Sequence, residues 1–291
     1  MNKPIRYLFS VLTAVLLVFC CLGAGLSAMI RLKALNIDTF QNVVQEELLP
    51  AKAHNELLAY FQEQENVTGI PADTYAPAIA EDKLRVIITE KVQNAFDYFD
   101  GKADAIGTAP DFSVLETQLS DFFSKFADEN GCEKDAKYDE TLAKAIDSAK
   151  TKIESACDVF RFSMLNDAGL PAKVRKAMPL IKYALIGSLC GIAVLLIVLL
   201  ILCREKKSRV LYWFGSAVLA ASVLLLIPAV WLQATRWFDR FAVKSDQIFA
   251  AVTGYLYTMT GTAITCSVIG IFVALCLYLL AGVTGRAGRR R

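Results

Sequence analysis

The sequence predicts an all-α fold: four transmembrane helices plus a helical-bundle extracytoplasmic domain between the first and second spans. Three observations predict it. Of 291 residues, 55% are hydrophobic and 21% charged, with a mean hydropathy of +0.42, on the apolar side of an ordinary soluble domain. Four uncharged apolar stretches are each long enough to cross a bilayer, since about 20 residues rising ~1.5 Å each span a hydrocarbon core of roughly 30 Å. Between the first two stretches, apolar residues recur at steps of three and four, the period of amphipathic helices.

In chain order, residues 1–6 form a basic tail, and residues 7–30 contain no charge and form the first span. Lys3 and Arg6 ahead of an apolar run also suit a secretory signal. The run is longer than a signal core, however, and Leu26-Ser27-Ala28 is a poor cleavage site, so an uncleaved anchor is expected. The second span is 183–203, the loop 204–209 is basic, and the third span is 210–232. Residues 247–285 are uncharged over a length too great for one simple span. The fourth helix is therefore placed at 262–281, after an outer loop at 233–261 with an interfacial approach helix, and before a basic tail at 282–291. Pro228 is expected to kink the third span, and Trp231, Trp237, Phe238 and Phe241 to form an interfacial belt.

Lys and Arg decide the orientation. The two tails and the loop at 204–209 hold ten basic residues against one acid, Glu205, which puts both termini in the cytoplasm. Residues 31–182 hold 18 basic and 26 acidic residues and fall on the opposite side. The formal charge of +2 therefore averages over +9 for the cytoplasmic pieces, −8 for the large domain and +1 for the short outer loop. Lys173, Arg175, Lys176 and Lys182 precede the second span on the outer side, a position that long translocated domains tolerate.

Four stripes build the domain at 31–182. Phe40, Val43, Val44 and Leu48 follow a cap at Asp38, Pro50 interrupts, and Leu57, Leu58 and Phe61 resume. Leu84, Ile87, Ile88, Val92, Phe96 and Phe99 end at Gly101. Ser113 and Glu116 have capping-box spacing ahead of Leu115, Leu119, Phe122, Phe123 and Phe126, with Gly131 as the stop. Leu142, Ile146, Ala149, Ile153, Ala156, Phe160 and Met164 make the last stripe. The first and last helices are expected to run on into the spans as a stalk, and the stripes to be packing surface.

The inventory for chemistry is thin. The single histidine, His54, reads as an exposed helical residue, and neither a phosphate loop nor a nucleophile elbow appears. No cofactor or metal set, and nothing pointing to nucleic acid, is expected. Cys132 and Cys157 face an oxidising space in this orientation and are candidates for a disulfide. That bridge requires a helix that is broken or starts late, because one continuous helix from Tyr138 carries Cys157 about 28 Å away. Asn66-Val67-Thr68 matches a glycosylation acceptor in an expected loop, relevant in a eukaryotic host. Within the membrane the spans carry no ionisable acid or base, which argues against ion-coupled carriers. They do carry small-residue spacing: Gly187 with Gly191, Gly270 with Ala274, and Gly23 with Ser27.

One span, a large outer domain, and three further spans with a short basic loop resemble the permease-like subunits of bacterial cell-division and macrolide-exporter ABC systems. That layout implies force transmission rather than solute transport, although the cell-division type has a longer cytoplasmic segment than residues 1–6. Gly69-Ile70-Pro71, the helix after it and Tyr98-Phe99-Asp100-Gly101 resemble uncharacterised bacterial multi-pass membrane proteins with a helical extracytoplasmic domain. The expectation is a non-enzymatic multi-pass protein of the cell membrane whose outer domain binds a partner or senses a ligand. Its expected partners are the lipid bilayer and a membrane or extracytoplasmic protein. The alternative is a permease-like subunit of a transport or mechanotransmission complex.

Overall fold

The computed structural model describes residues 3–107, 110–204 and 208–287, and among them there are helices and no strands. The chain divides into two compact units. One comprises the described residues of Met1–Asn36, Lys176–Arg240 and Leu256–Arg291, the other those of Ile37–Arg175 and Phe241–Tyr255.

The first unit holds the apolar helices. Helix α1 (Lys3–Met29) runs into a π-helical turn, Ile30–Ala34. Among the described residues, four segments are long and apolar enough to cross a membrane: Arg6–Ala34, Leu170–Leu202, Ser208–Ala234 and Asp246–Thr284. Leu17 of α1 packs with Leu199, Cys203, Val210 and Ala217 in a buried cluster, and Tyr7 meets the edge of Trp213 with ring centroids 5.8 Å apart. Arg6 Nη2 donates to the Leu202 carbonyl at 2.6 Å. A guanidinium there satisfies one of the carbonyls that a helix C-terminus leaves without a partner and suits the negative end of the dipole. That bond puts the start of the first span beside the end of the second. In the same start-to-end sense for the other pair, Tyr278 Oη, towards the end of the fourth segment, donates to Ser216 Oγ, towards the start of the third, at 2.9 Å.

The second unit, the helical domain, is built from α2 (Ile37–Glu46), α3 (Leu49–Thr68), α4 (Glu81–Phe99), α5 (Ser113–Asn130), α6 (Ala136–Cys157) and α7 (Phe162–Asp167). Most of the stripe residues read from the sequence are its core: Val43, Val44, Leu57, Leu84, Ile88, Leu115, Leu119 and Ile153 are buried, whereas Leu48 and Phe126 are exposed. Phe40 lies at its aromatic centre, with ring centroids 5.1 Å from Phe96, 4.9 Å from Phe160 and 4.8 Å from Tyr255.

Several boundaries differ from the sequence reading. Pro50 opens α3 instead of interrupting a helix, because a first-turn proline forfeits no intrahelical bond. The break falls at Leu48, which takes the left-handed conformation, φ 51°. Asp111 rather than the Ser113–Glu116 box starts α5: its Oδ1 accepts from the Ser113 amide at 2.9 Å, and Glu116 pairs with Lys150. The last stripe is cut at Cys157. Asp158 is buried, and its carboxylate accepts from the amides of Phe162 at 2.8 Å and Ser163 at 3.0 Å, which starts α7 and leaves Met164 exposed. Neither end helix read from the sequence runs on unbroken into a span: the chain breaks at Leu35–Asn36 ahead of α2 and at Ala168–Gly169 ahead of α8 (Leu170–Leu202), Gly169 having φ 66°.

Helix α9 (Ser208–Ala234) continues through Pro228, and α10 (Asp246–Ala287) is a single helix. The approach segment expected within 233–261 and the span expected at 262–281 are thus joined in α10 from Asp246 onward. Its first residues are core of the helical domain, where Gln247, Ile248, Ala250 and Ala251 are buried and Ser245 Oγ donates to Glu56 Oε2 at 2.9 Å. Gly254 belongs there for want of a side chain: a Cβ would lie 2.6 Å from Glu47 Cγ.

Candidate ligand groove in the helical domain

The C-terminal half of α3 places Tyr60, Phe61, Gln64 and Thr68 along one side of the helix, at steps of one, three and four residues. Gly69 then turns the chain with φ 71°, and its amide closes the helix on the Glu65 carbonyl. The connector folds back beneath α3, held by the Ala72 amide donating to Glu65 Oε2 at 3.3 Å. This brings Tyr75 flat against Phe61, ring centroids 3.9 Å apart and 9° from parallel. Phe123 of α5 and Thr141, Lys144, Ala145, Ser148 and Ala149 of α6 complete the wall of a cavity of 340 Å³.

Its chemistry is aromatic below and polar at the rim, where the one charge among the described residues, on Lys144, is paired. Phe61, Ile70, Tyr75 and Ala149 are buried, whereas Thr68, Thr141, Lys144 and Ser148 are exposed. Burial and the neighbouring Tyr60 push the Tyr75 phenol up to about 12, so it is un-ionised at neutral pH. The charges nearby are matched: Lys144 Nζ is 2.6 Å from Glu140, and Lys152 Nζ lies 4.3 Å from the centre of the Tyr60 ring and 3.8 Å from Glu56. A cavity of this size, mostly apolar with a few convergent polar groups, has the character of a small-molecule or side-chain pocket.

Two other cavities have a different character. One of 220 Å³ between α4 and α5 carries Lys83, Glu90 and Asp111 over Val86, Ile87 and Leu115. One of 210 Å³ among the apolar helices is lined by Cys21, Gly25, Ser222, Cys266 and Ser267, and both serine hydroxyls donate to their own helix, to Val218 at 2.9 Å and Ala263 at 2.7 Å.

The residues singled out from the sequence are dispersed. Cys132 is exposed and lies four residues ahead of α6, while Cys157 is buried at its far end; both are free thiols. An unbroken α6 separates its ends by about 30 Å, which four extended residues, ~14 Å, do not return. The late or broken helix that a bridge required is absent, and burial pushes the Cys157 thiol up to about 12. Asn66 is exposed in the last turn of α3, not in a loop. His54 is half-buried rather than exposed, and its Nδ1 lies 2.7 Å from the Ile79 carbonyl, which selects the tautomer donating from Nδ1.

Gly187 and Gly191 are not used alike within the described part of the chain. A Cβ on Gly191 would lie 3.0 Å from Cys20 Sγ, whereas Gly187 faces open space. The close approach of α8 to α1 uses Ser188 instead, whose Oγ lies 2.8 Å from where a Cβ on Gly23 would be. The groove residues Tyr60 and Tyr75 were missed because one lies beside the buried stripe of α3 and the other in an irregular connector, where periodicity carries no signal.

No protein-family model matches the chain, and no curated protein or solved structure matches it significantly. The four long apolar helices found among the described residues are compatible with a multi-pass membrane protein.

Proposed function

We propose that the chain is a non-enzymatic multi-pass protein of the cell membrane, with both termini cytoplasmic and the helical domain extracytoplasmic, and that this domain binds a partner or senses a ligand. The observation that carries this reading is the groove between α3, α5 and α6, an open aromatic-floored cavity that the domain leaves unfilled. The basic residues of the tails and of 204–209, against the acidic balance of 31–182, support the orientation.

A photocrosslinking amino acid at Thr141, on the groove, tests it in native membranes against the same group at Arg85, exposed on α4. The reading predicts a discrete adduct from position 141 that is absent from position 85 and is lost when Ser148→Trp closes the groove. Identical adduct patterns from the two positions, or an adduct indifferent to Ser148→Trp, contradict it.

A further inference from the structure

We infer that the occupant of the groove is a neutral, ring-bearing small amphiphile, a planar molecule with one or two hydrogen-bonding groups; this rests on the reading of the groove as a binding site. Three observations converge on that class. The floor and inner wall are aromatic, with the stacked Phe61–Tyr75 pair beneath and the half-exposed rings of Tyr60 and Phe123 at the sides. Aromatic walls favour a guest with a flat π or apolar face.

The second observation is charge. Among the described residues of the wall the cation is Lys144, which pairs with Glu140 at the solvent-exposed edge, and Lys152 beside Tyr60 holds Glu56. A charged guest therefore meets no unpaired counter-charge beside the groove, and over the aromatic floor it would give up hydration that nothing there replaces. Neutral guests meet no such penalty.

The third is the supply of neutral hydrogen-bonding groups. Gln64 and Ser148 offer an amide and a hydroxyl at the mouth. Thr68 is committed, because its Oγ1 donates to the Gln64 carbonyl at 3.0 Å and accepts from the Ile70 amide at 3.3 Å. Thr141 donates to the Lys137 carbonyl at 2.8 Å and retains only acceptor capacity. One or two polar groups on the guest are therefore matched, and a heavily hydroxylated guest is not. The volume of 340 Å³ suits a molecule of two or three rings rather than a folded peptide segment.

The test uses the full-length protein in lipid nanodiscs and a matched pair of photolabels, neutral 4-(hydroxymethyl)benzophenone and anionic 4-benzoylbenzoate, with adducts mapped by mass spectrometry. The neutral label is expected to modify residues 60–75 and 141–149 saturably, with an apparent affinity at least about ten-fold above the anion. Ser148→Trp, a surface change that leaves the core intact, is expected to abolish that modification, while Arg85→Trp leaves it unchanged. Saturable groove labelling by the anion at equal or higher affinity overturns the neutral class and leaves the groove a binding site. Absence of saturable groove labelling by either compound overturns both readings, as does labelling that survives Ser148→Trp.

Discussion

Gln247 is fully buried in the first turn of α10, and neither its amide nitrogen nor its oxygen has a hydrogen-bond partner among the described residues. An unsatisfied buried amide costs about 1–3 kcal/mol, whereas an apolar side chain of similar size costs nothing of the kind. Gln247→Leu is therefore expected to raise the melting temperature by roughly 2–6 °C, read by thermal unfolding of the purified protein. A lower melting temperature would show that the amide is satisfied by a group the fold conceals. Tyr75 makes a second residue-scale prediction. Its phenol titrates near 12 in the fold and near 10 when exposed, so above pH 10 the unfolded chain ionises first and binds fewer protons. The stability it contributes is complete below pH 10 and lost as the pH rises from 10 to 12. Tyr75→Phe should flatten that part of the alkaline unfolding curve, and an unchanged slope would refute the assignment. His54 shows what sequence alone could not supply at this scale. Its type and helical setting were legible, but the carbonyl that fixes its tautomer belongs to Ile79, 25 positions away.

Among the elements, the helices were legible because core packing follows their period, and the boundaries were not, because those depend on single polar groups. Asp158 is the clearest instance: a carboxylate between two apolar runs looks like surface, yet it caps α7 from a buried position. Asp158→Ala should destabilise the domain by about 1–2 kcal/mol, measured by chemical unfolding, and a change within about 0.5 kcal/mol would show that the cap does not matter. The span helices test the packing account. Gly191→Val drives a side chain into Cys20 of α1 and should cost about 1–3 kcal/mol, whereas Gly187→Val, facing open space, should leave thermal stability unchanged. Equal effects of the two substitutions would restore the paired motif that the sequence suggested. The continuity of α10 had no sequence signal, because an uncharged run longer than one crossing reads equally as one helix or as two segments.

At the scale of the whole molecule, the division into apolar helices and a helical domain was present in the sequence as hydropathy and charge. A net +2 concealed basic short segments and an acidic domain, and each of the four apolar helices overlaps one uncharged run, the second starting thirteen residues earlier, at Leu170, and taking in Lys173, Arg175, Lys176 and Lys182. The groove was not legible in the same way, since it is assembled from α3, α5, α6 and a connector whose residues share no periodicity. The two cysteines of the helical domain allow the proposed orientation to be measured directly. Cys132 is exposed and free, and Cys157 is 1% exposed. Intact cells treated with a membrane-impermeant maleimide, without reductant, should label Cys132 before lysis, lose that label in Cys132→Ser, and label Cys157 only after denaturation. Labelling of Cys132 that begins only once the cells are lysed would place the helical domain in the cytoplasm and contradict the account.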